Sequence, residues 1–476
     1  MVRPRAVVVG AGSAGCVLAA RLADRFDIVL IEAGRFVAPV AVAERWRDDA
    51  VAHPPTWSLP AQLTGERRWR ATPGRAVGGS SVVNGGYFAP PEMTDLRLWH
   101  AAGGDAWEPE LVRAEIAEAG IRLGVAPSPQ THPIARAFAA AAAQLGHTDR
   151  LLALDTTVEA GAPRSVAEAF LGGAREHIEI RSDCRALRVV IEDGRAVGVD
   201  VADAEGTREV IAADEVVLCA GGFGTARLLL ASGVGPAERL RAVGIDPVRD
   251  LPGVGAGFSD HPTVWVEWMP TPAFAKRAPS PEDATGAFPI ALCLSADGRP
   301  GDDVEILACT QPPDPEARTP DAAHGLIVGL QRPRSRGTVA AASAHPLAPP
   351  AISYRYLEDE RDRAALRRGV RLAAELLSSP GFAELVDRLV DLDQPTLESD
   401  ELLDAWIAAK LGSAAHTCGT APMGPDSDRL AVVDGAGRVR GIAGLRVGDT
   451  ALLPVVPSRG PAAAAMAVGA IVAGQM

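Results

Sequence analysis

Three glycines at positions 10, 12 and 15, followed by a glutamate at 32, are the first residues of this chain whose spacing implies chemistry. The pattern G-x-G-x-x-G carries meaning when a strand precedes it and a helix follows. Here the β-branched run RAVVV (5–9) reads as a buried parallel strand, and VLAARLAD carries helical periodicity. Gly10 permits the tight turn, Gly12 lets backbone approach a pyrophosphate, and Gly15 allows close helix–strand packing. The helix opens at Ser13, where free N–H groups and the positive dipole end suit phosphate. Glu32 closes the second strand, 22 residues after Gly10, where a carboxylate can accept both ribose hydroxyls of an adenosine. This motif alone leaves NAD and FAD both open. A second loop, GRAVGGSSVVNGG (74–86), offers bare backbone together with two serines and an asparagine. It suits a cofactor with a long body beyond its pyrophosphate, so FAD is expected.

Other chemistries find less support. There is no G-x-S-x-G elbow and no metal-ligand spacing, which leaves hydrolase and metalloenzyme readings without a basis. The six cysteines, at 16, 184, 219, 293, 309 and 418, form no C-x-x-C pair, so a reducing compartment is expected. A net charge of −13 argues against nucleic acid as a partner and against charge-driven adhesion to an anionic membrane.

The elements that must position these residues span a chain of 476, long for one core. Apolar content of 47% with 22% charge is ordinary for a soluble globular protein. Arg3 and Arg5 precede too short an apolar run for a signal peptide. The alanine-rich stretch 461–476 is shorter than the ~20 residues that span a bilayer, so it reads as a buried terminal helix in a cytoplasmic protein. Strand patterns recur at 186–190, 196–201 and 215–219, and helical patterns at 138–147 and 224–232. Between 264 and 350, proline-rich breaks at PTPAF, APSPED and QPPDPEARTP separate alternating runs such as ALCLSAD and VEILACT. That composition predicts an antiparallel sheet with long loops facing the substrate. Residues 358–378 read as a charged amphipathic helix on the solvated surface.

Taken together, these segments resemble the glucose–methanol–choline (GMC) family of FAD-dependent oxidoreductases. The N-terminal fingerprint and the loop 74–86 resemble the family's first signature and flavin loop. VVLCAGGFGTARLLLASGVGP (216–236) is similar to its second signature, and DLPGVGAGFSDHP (250–262) to the segment that follows. QRPRSRGTVA (331–340) and APPAISYRYLEDERD (348–362) resemble the substrate-domain pattern; HTCGTAPMG (416–424) and VVDGAGRVRGIAGLRVGDTALLP (432–454) resemble the C-terminal signature. The resemblance implies an α/β protein, α+β overall, with a Rossmann-like FAD-binding domain and a second substrate domain on an antiparallel sheet. The FAD domain would take residues 1–263 and 415–476, with substrate-side insertions within 40–70 and 90–165, and the substrate domain 264–414. It also implies roles: Gly10, Gly12, Ser13, Gly15 and Glu32 for the ADP part, and Gly79, Ser80, Asn84 and Gly85 along the flavin. Leu187 or Arg188 would meet the adenine through backbone, and Asp449 and Thr450 would contact the pyrophosphate and ring edge.

For catalysis the resemblance selects His416, in the motif H-x-x-G-T, as the acid–base group. Taking a hydride from an alcohol onto flavin N5 requires the hydroxyl proton to leave, and an imidazole suits that transfer near neutrality. His261, in SDHP, is expected to be structural. The family places a second His or Asn opposite the first histidine. Here PVVPSRGPAAAA (454–465) puts Gly460 at that position, which leaves room for a bulky substrate, with Arg459 beside it. Arg459 either stabilises a developing alkoxide or pairs with a surface acid. The segment YFAPPEMTDLRLW lacks the usual Arg-Gly pair; with HTCGT and PSRGP, it resembles the subgroup associated with the redox peptide cofactor mycofactocin. The expected reaction is therefore oxidation of a carbinol, either reduced mycofactocin or a small alcohol. Electrons would pass to a respiratory acceptor, with membrane association limited to that partner. A hydroxynitrile-type lyase and a non-catalytic flavin assembly partner are the alternatives from other classes.

Overall fold

A computed structural model describes residues 3–37, 55–159, 162–172, 175–277, 286–295, 303–311 and 322–476. The proline-rich breaks at APSPED and, apart from Gln311, QPPDPEARTP lie outside the described residues, as does 40–54 of the first expected insertion.

The β-branched run Arg5–Val9 is buried on both faces except at its first residue, which places it at the centre of a parallel sheet. The strand order across that five-stranded sheet is Ile178–Arg181, Asp27–Ile31, Arg5–Val9, Glu215–Leu218 and Leu445–Val447. Its strands thus come from four distant parts of the chain. The helix Ser13–Leu22 packs against the terminal helix Ala462–Gly474. Their fit is close, since a Cβ at Gly469 would stand 2.3 Å from the Ala14 carbonyl oxygen. Among the described residues no helix is long and apolar enough to cross a membrane.

A seven-stranded antiparallel sheet forms the second layer system. Pro262–Pro270 pairs with Val386–Leu389 on one side and His324–Leu330 on the other, and Val304–Ala308, Ile290–Leu294 and Leu151–Ala153 follow. Strict alternation of burial along Pro262–Pro270 shows one face turned to a core. Segments from the N-terminal half join this side: Leu151–Ala153 as an edge strand, and Leu59–Gln62 by pairing with Ala351–Ser353.

The helix Glu360–Ser378 corrects the expectation of a solvated surface element. Leu366, Val370, Ala373 and Leu377 are buried, and a Cβ at Gly369 would reach 2.6 Å from Val328 Cγ1, so the helix lies directly on the antiparallel sheet. The Leu and Val side chains each contribute roughly 1.5–3 kcal/mol by leaving water. The charge in the sequence masked this face. Arg367 is itself buried, and Asp404 and Glu360 pair with it at 2.7 Å each.

Candidate active site

Two glycine loops meet at the carboxyl end of the parallel sheet. Gly10 has φ +107°, and a Cβ there would lie 2.3 Å from the Cys219 carbonyl oxygen. Only glycine fits that turn. Gly15 is pressed on Gly10, with a Cβ 1.9 Å from the Gly10 oxygen. The second loop lies on the first: Gly78 N–H donates to the Ala11 carbonyl at 2.7 Å, and a Cβ at Gly79 would stand 2.6 Å from Gly12 Cα. A Cβ at Gly12 meets nothing nearer than Gly79 Cα at 3.9 Å, and no side chain caps the helix that begins at Ser13. The junction is therefore bare backbone with uncapped donors, the surface a pyrophosphate requires.

Glu32 is buried, and its two oxygens accept the Ala11 and Gly34 N–H groups at 3.0 and 2.9 Å. A carboxylate offers about four acceptor positions, so each oxygen can still take a ribose hydroxyl. Burial raises its pKa to about 7, so hydroxyl donors would favour the ionised form. Leu187 falls at the register shift between Ala186 and Arg188 in the strand Arg185–Glu192, out of the ladder's register. Arg188 instead pairs with Asp200. Within the flavin loop, Ser80 Oγ accepts from Gly74 N and Asn84 Oδ1 from Gly86 N, both at 3.0 Å. Gly85 lies against Phe288, whose Cε2 is 2.5 Å from where a Cβ would be. Asp449 accepts from Gly221 N, Thr225 Oγ1 and Ala451 N at 2.7, 2.6 and 2.8 Å, and burial raises its pKa to about 6. It anchors the helix Gly221–Ala231 as much as it faces the junction. Thr450 Oγ1 donates to the Thr417 carbonyl at 3.1 Å, which links this end of the sheet to the histidine loop.

His416 follows Ala415, a non-glycine residue at φ +60°. Such a conformation costs roughly 1–2 kcal/mol and persists where the surroundings over-determine it. What does so is Asp260. Its Oδ1 accepts from His261 N at 2.7 Å, His416 N at 2.9 Å and Ser413 Oγ at 3.1 Å, and its Oδ2 from Thr417 Oγ1 at 2.7 Å. Burial raises the Asp260 pKa to about 6, against the pull of these bonds.

The two histidine rings meet edge to face, with Nδ1 to Nδ1 at 2.9 Å. His261 Nε2 lies 2.9 Å from the Pro457 carbonyl oxygen. A carbonyl can only accept, so His261 Nε2 carries a proton. Burial keeps both rings neutral: it lowers His261 well below its ordinary pKa and His416 to about 4. A neutral His261 then has a bare Nδ1, which must accept from Nδ1–H of His416. The chain of donors leaves the lone pair of His416 on Nε2. His261 is thus a tautomer-setting partner of His416, more than the structural residue expected.

Gly460 does border His416, but not as an open space. A Cβ at 460 would stand 3.4 Å from His416 Cε1 and 3.0 Å from Tyr87 Cε1. The room expected for a bulky substrate is narrowed by the Tyr87 ring. Arg459 is buried, and its acidic partners are the half-buried Glu92 at 2.8 Å and Glu305, only 3% exposed, at 4.0 Å. The preceding residue is held just as firmly, with Ser458 N and Oγ both bonded to the buried Asp95.

Asp260, Tyr87, Glu305 and Asp95 are the residues that sequence reasoning missed. Asp260 offered one signal, a carboxylate beside the histidine of SDHP. Glu305 offered another, an acid inside an apolar strand.

Among known proteins, models of the GMC oxidoreductase family match residues 5–263 and 333–469. An uncharacterised GMC-type oxidoreductase of Rhodococcus erythropolis is 35% identical over 97% of this chain and 96% of its own. An oxygen-dependent choline dehydrogenase of Vibrio vulnificus is 31% identical over 95% of this chain and 90% of its own. Among solved structures, pyridoxine 4-oxidase from Mesorbium loti superposes with a TM-score of 0.87 at 25% identity, covering 99% of both chains. A formate oxidase of Aspergillus oryzae shares the fold, with a TM-score of 0.88 at 22% identity over 100% of this chain and 98% of its own.

Proposed function

The chain belongs to the GMC oxidoreductases, a family of FAD-dependent enzymes, and we propose that it oxidises the carbinol of an alcohol with His416 as the acid–base group. The observation that carries this reading is the histidine pair, which leaves a lone pair on Nε2 of a half-buried His416. Gly10, Gly12, Ser13, Gly15 and Glu32 would hold the ADP part of FAD, with Leu187 at the adenine, Gly79, Ser80, Asn84 and Gly85 along the flavin, and Asp449 and Thr450 at the pyrophosphate and ring edge. When bound, FAD supplies the hydride acceptor. His416 Nε2 takes the hydroxyl proton as the carbinol is oxidised. The resulting imidazolium keeps its Nδ1–H bond to His261, and that bond strengthens with the charge. His261 passes the constraint on to Pro457, so the ring cannot turn or change tautomer between turnovers. With a pKa of about 4, His416 stays unprotonated throughout the neutral range.

The substrate is a small alcohol or the reduced head group of mycofactocin. Alcohol chemistry is supported by the relative named as a choline dehydrogenase. The narrower choice rests on the HTCGT and PSRGP segments and on the missing Arg-Gly pair after the flavin loop. On this reading the electrons leave to a respiratory acceptor, and the protein works in the cytoplasm, meeting the membrane only through that acceptor. The test is anaerobic mixing of the holoenzyme with alcohols and reduced mycofactocin, following loss of oxidised-flavin absorbance. The true substrate bleaches the flavin, and His416→Ala slows the step by about 10²–10⁴-fold. Bleaching at the wild-type rate in His416→Ala would sink the assignment.

A further inference from the structure

The backbone of Gly460 runs beside two rings, since a Cβ there would touch His416 Cε1 and Tyr87 Cε1 at 3.4 and 3.0 Å. Both rings border the volume that a side chain at 460 would enter. Tyr87 reaches it from the end of the flavin loop, where Tyr87–Phe88 is pinned by pairing with Asp155–Thr156. Its ring packs on the small apolar cluster of Leu154, Ala291 and Cys293. Its hydroxyl donates to Glu305 Oε2 at 3.2 Å, long for an O–H···O bond, whose usual length is about 2.7–2.8 Å. Gln331 Nε2 donates to the other oxygen at 3.4 Å, and Arg459 Nε lies 4.0 Å from Oε2. Glu305 therefore keeps donors and a counter-charge even when the Tyr87 hydrogen turns elsewhere.

We propose that Tyr87 is the second hydroxyl-binding residue of this site, meeting the carbinol oxygen opposite His416, with Glu305 and Arg459 as its positioning residues. The inference rests on the alcohol-oxidising reading above. Once His416 has taken the proton, the oxygen carries developing negative charge in a buried site. A donor already in place there costs no reorganisation at the moment of reaction. Tyr87 makes and breaks no covalent bond; its hydrogen moves from a long bond to Glu305 to one with the carbinol oxygen. Burial, reinforced by Glu305, holds the phenol well above its ordinary pKa, so it remains a donor wherever His416 is a base.

The experiment uses FAD-loaded enzyme, with ethanol, benzyl alcohol, choline, pyridoxine and reduced mycofactocin as probes. Tyr87→Phe keeps the ring and loses the donor. Its limiting rate of flavin reduction should fall by about 10²–10³-fold, the scale of one lost oxyanion donor, with KM and Tm little changed. A rate within threefold of wild type (~0.65 kcal/mol or less) overturns the proposal. Placement is tested separately through Tm. Gly460→Asn should lower Tm in wild type and be tolerated in a Tyr87→Ala background, and additive changes would overturn the shared volume. A wild type inert to every alcohol, with that Tm coupling intact, sinks the alcohol reading and leaves the Tyr87 placement standing.

Discussion

The nucleotide cradle and the histidine wall are built on opposite principles. In the cradle, function is carried by backbone: Gly10, Gly12, Gly15 and Gly79 contribute by having no side chain, and the loops touch atom to atom. In the wall it is carried by side chains, in a relay from the buried Asp260 through His416 and His261 to Pro457, with Tyr87, Glu305 and Arg459 beside it. At Gly10, Gly15 and Gly79 the first arrangement tolerates no addition. The second tolerates no subtraction, because each group removed strands another in a dry interior.

That contrast can be broken from either side. The largest effect is expected in the cradle: Gly79→Val places a branched side chain at φ +55° and into Gly12 Cα, and should yield protein essentially without FAD, measured by flavin absorbance per chain after purification. Retained stoichiometric FAD would show that the loops part without cost. Next comes His261→Ala, which removes the tautomer-setting partner. Flavin reduction should slow by about 10–100-fold, as when the outer partners of metal-bound histidines are lost, with FAD still bound. A mutation that lowered FAD content and left the rate alone would place His261 in the cradle's service.

Asp260→Asn should cost about 1–3 kcal/mol, because an amide cannot satisfy all four donors that now converge on the carboxylate. The check is denaturant unfolding of the holoenzyme, where an unchanged midpoint would mean that the strained turn at Ala415 holds itself. The smallest effect is in acid. The His416 pKa is lowered from 6.5 to about 4, so the folded protein binds fewer protons than the unfolded chain between those values. The stability contributed by His416 is therefore complete above pH 6.5 and lost as pH falls through that window. The reduction rate should stay flat across the neutral range and halve only near pH 4. A midpoint near 6.5 would mean that water reaches the ring.

How much of this was legible in the sequence follows from the same division. The run 5–9, the three glycines and Glu32 lie within one strand–turn–helix–strand, where spacing alone dictates geometry, and the parallel sheet and a dinucleotide followed from them, while FAD needed the second loop, 74–86. Glu305 sits in a run whose alternation was visible, but which face it takes depends on pairing with Ile290–Leu294 and His324–Leu330. Asp95 and Ser458 are 363 positions apart, His261 and His416 are 155 apart, and only the fold brings each pair together. The helix Glu360–Ser378 misled for a related reason: its charges dominate the reading, while small residues such as Gly369 and Ala373 make the contact.

The order in which the parallel sheet is assembled has a consequence for how the protein is made. Its edge strand, Leu445–Val447, and the helix Ala462–Gly474 that seats on Ser13–Leu22 leave the ribosome long after the fingerprint. The fingerprint emerges before them and must wait. Throughout synthesis the fingerprint helix lacks the surface against which Gly469 fits, and the strand Glu215–Leu218 has an unpaired edge. Such long-range closure is slow, and open edges invite aggregation. Soluble yield should accordingly depend on FAD and chaperone supply up to the point where these late elements emerge.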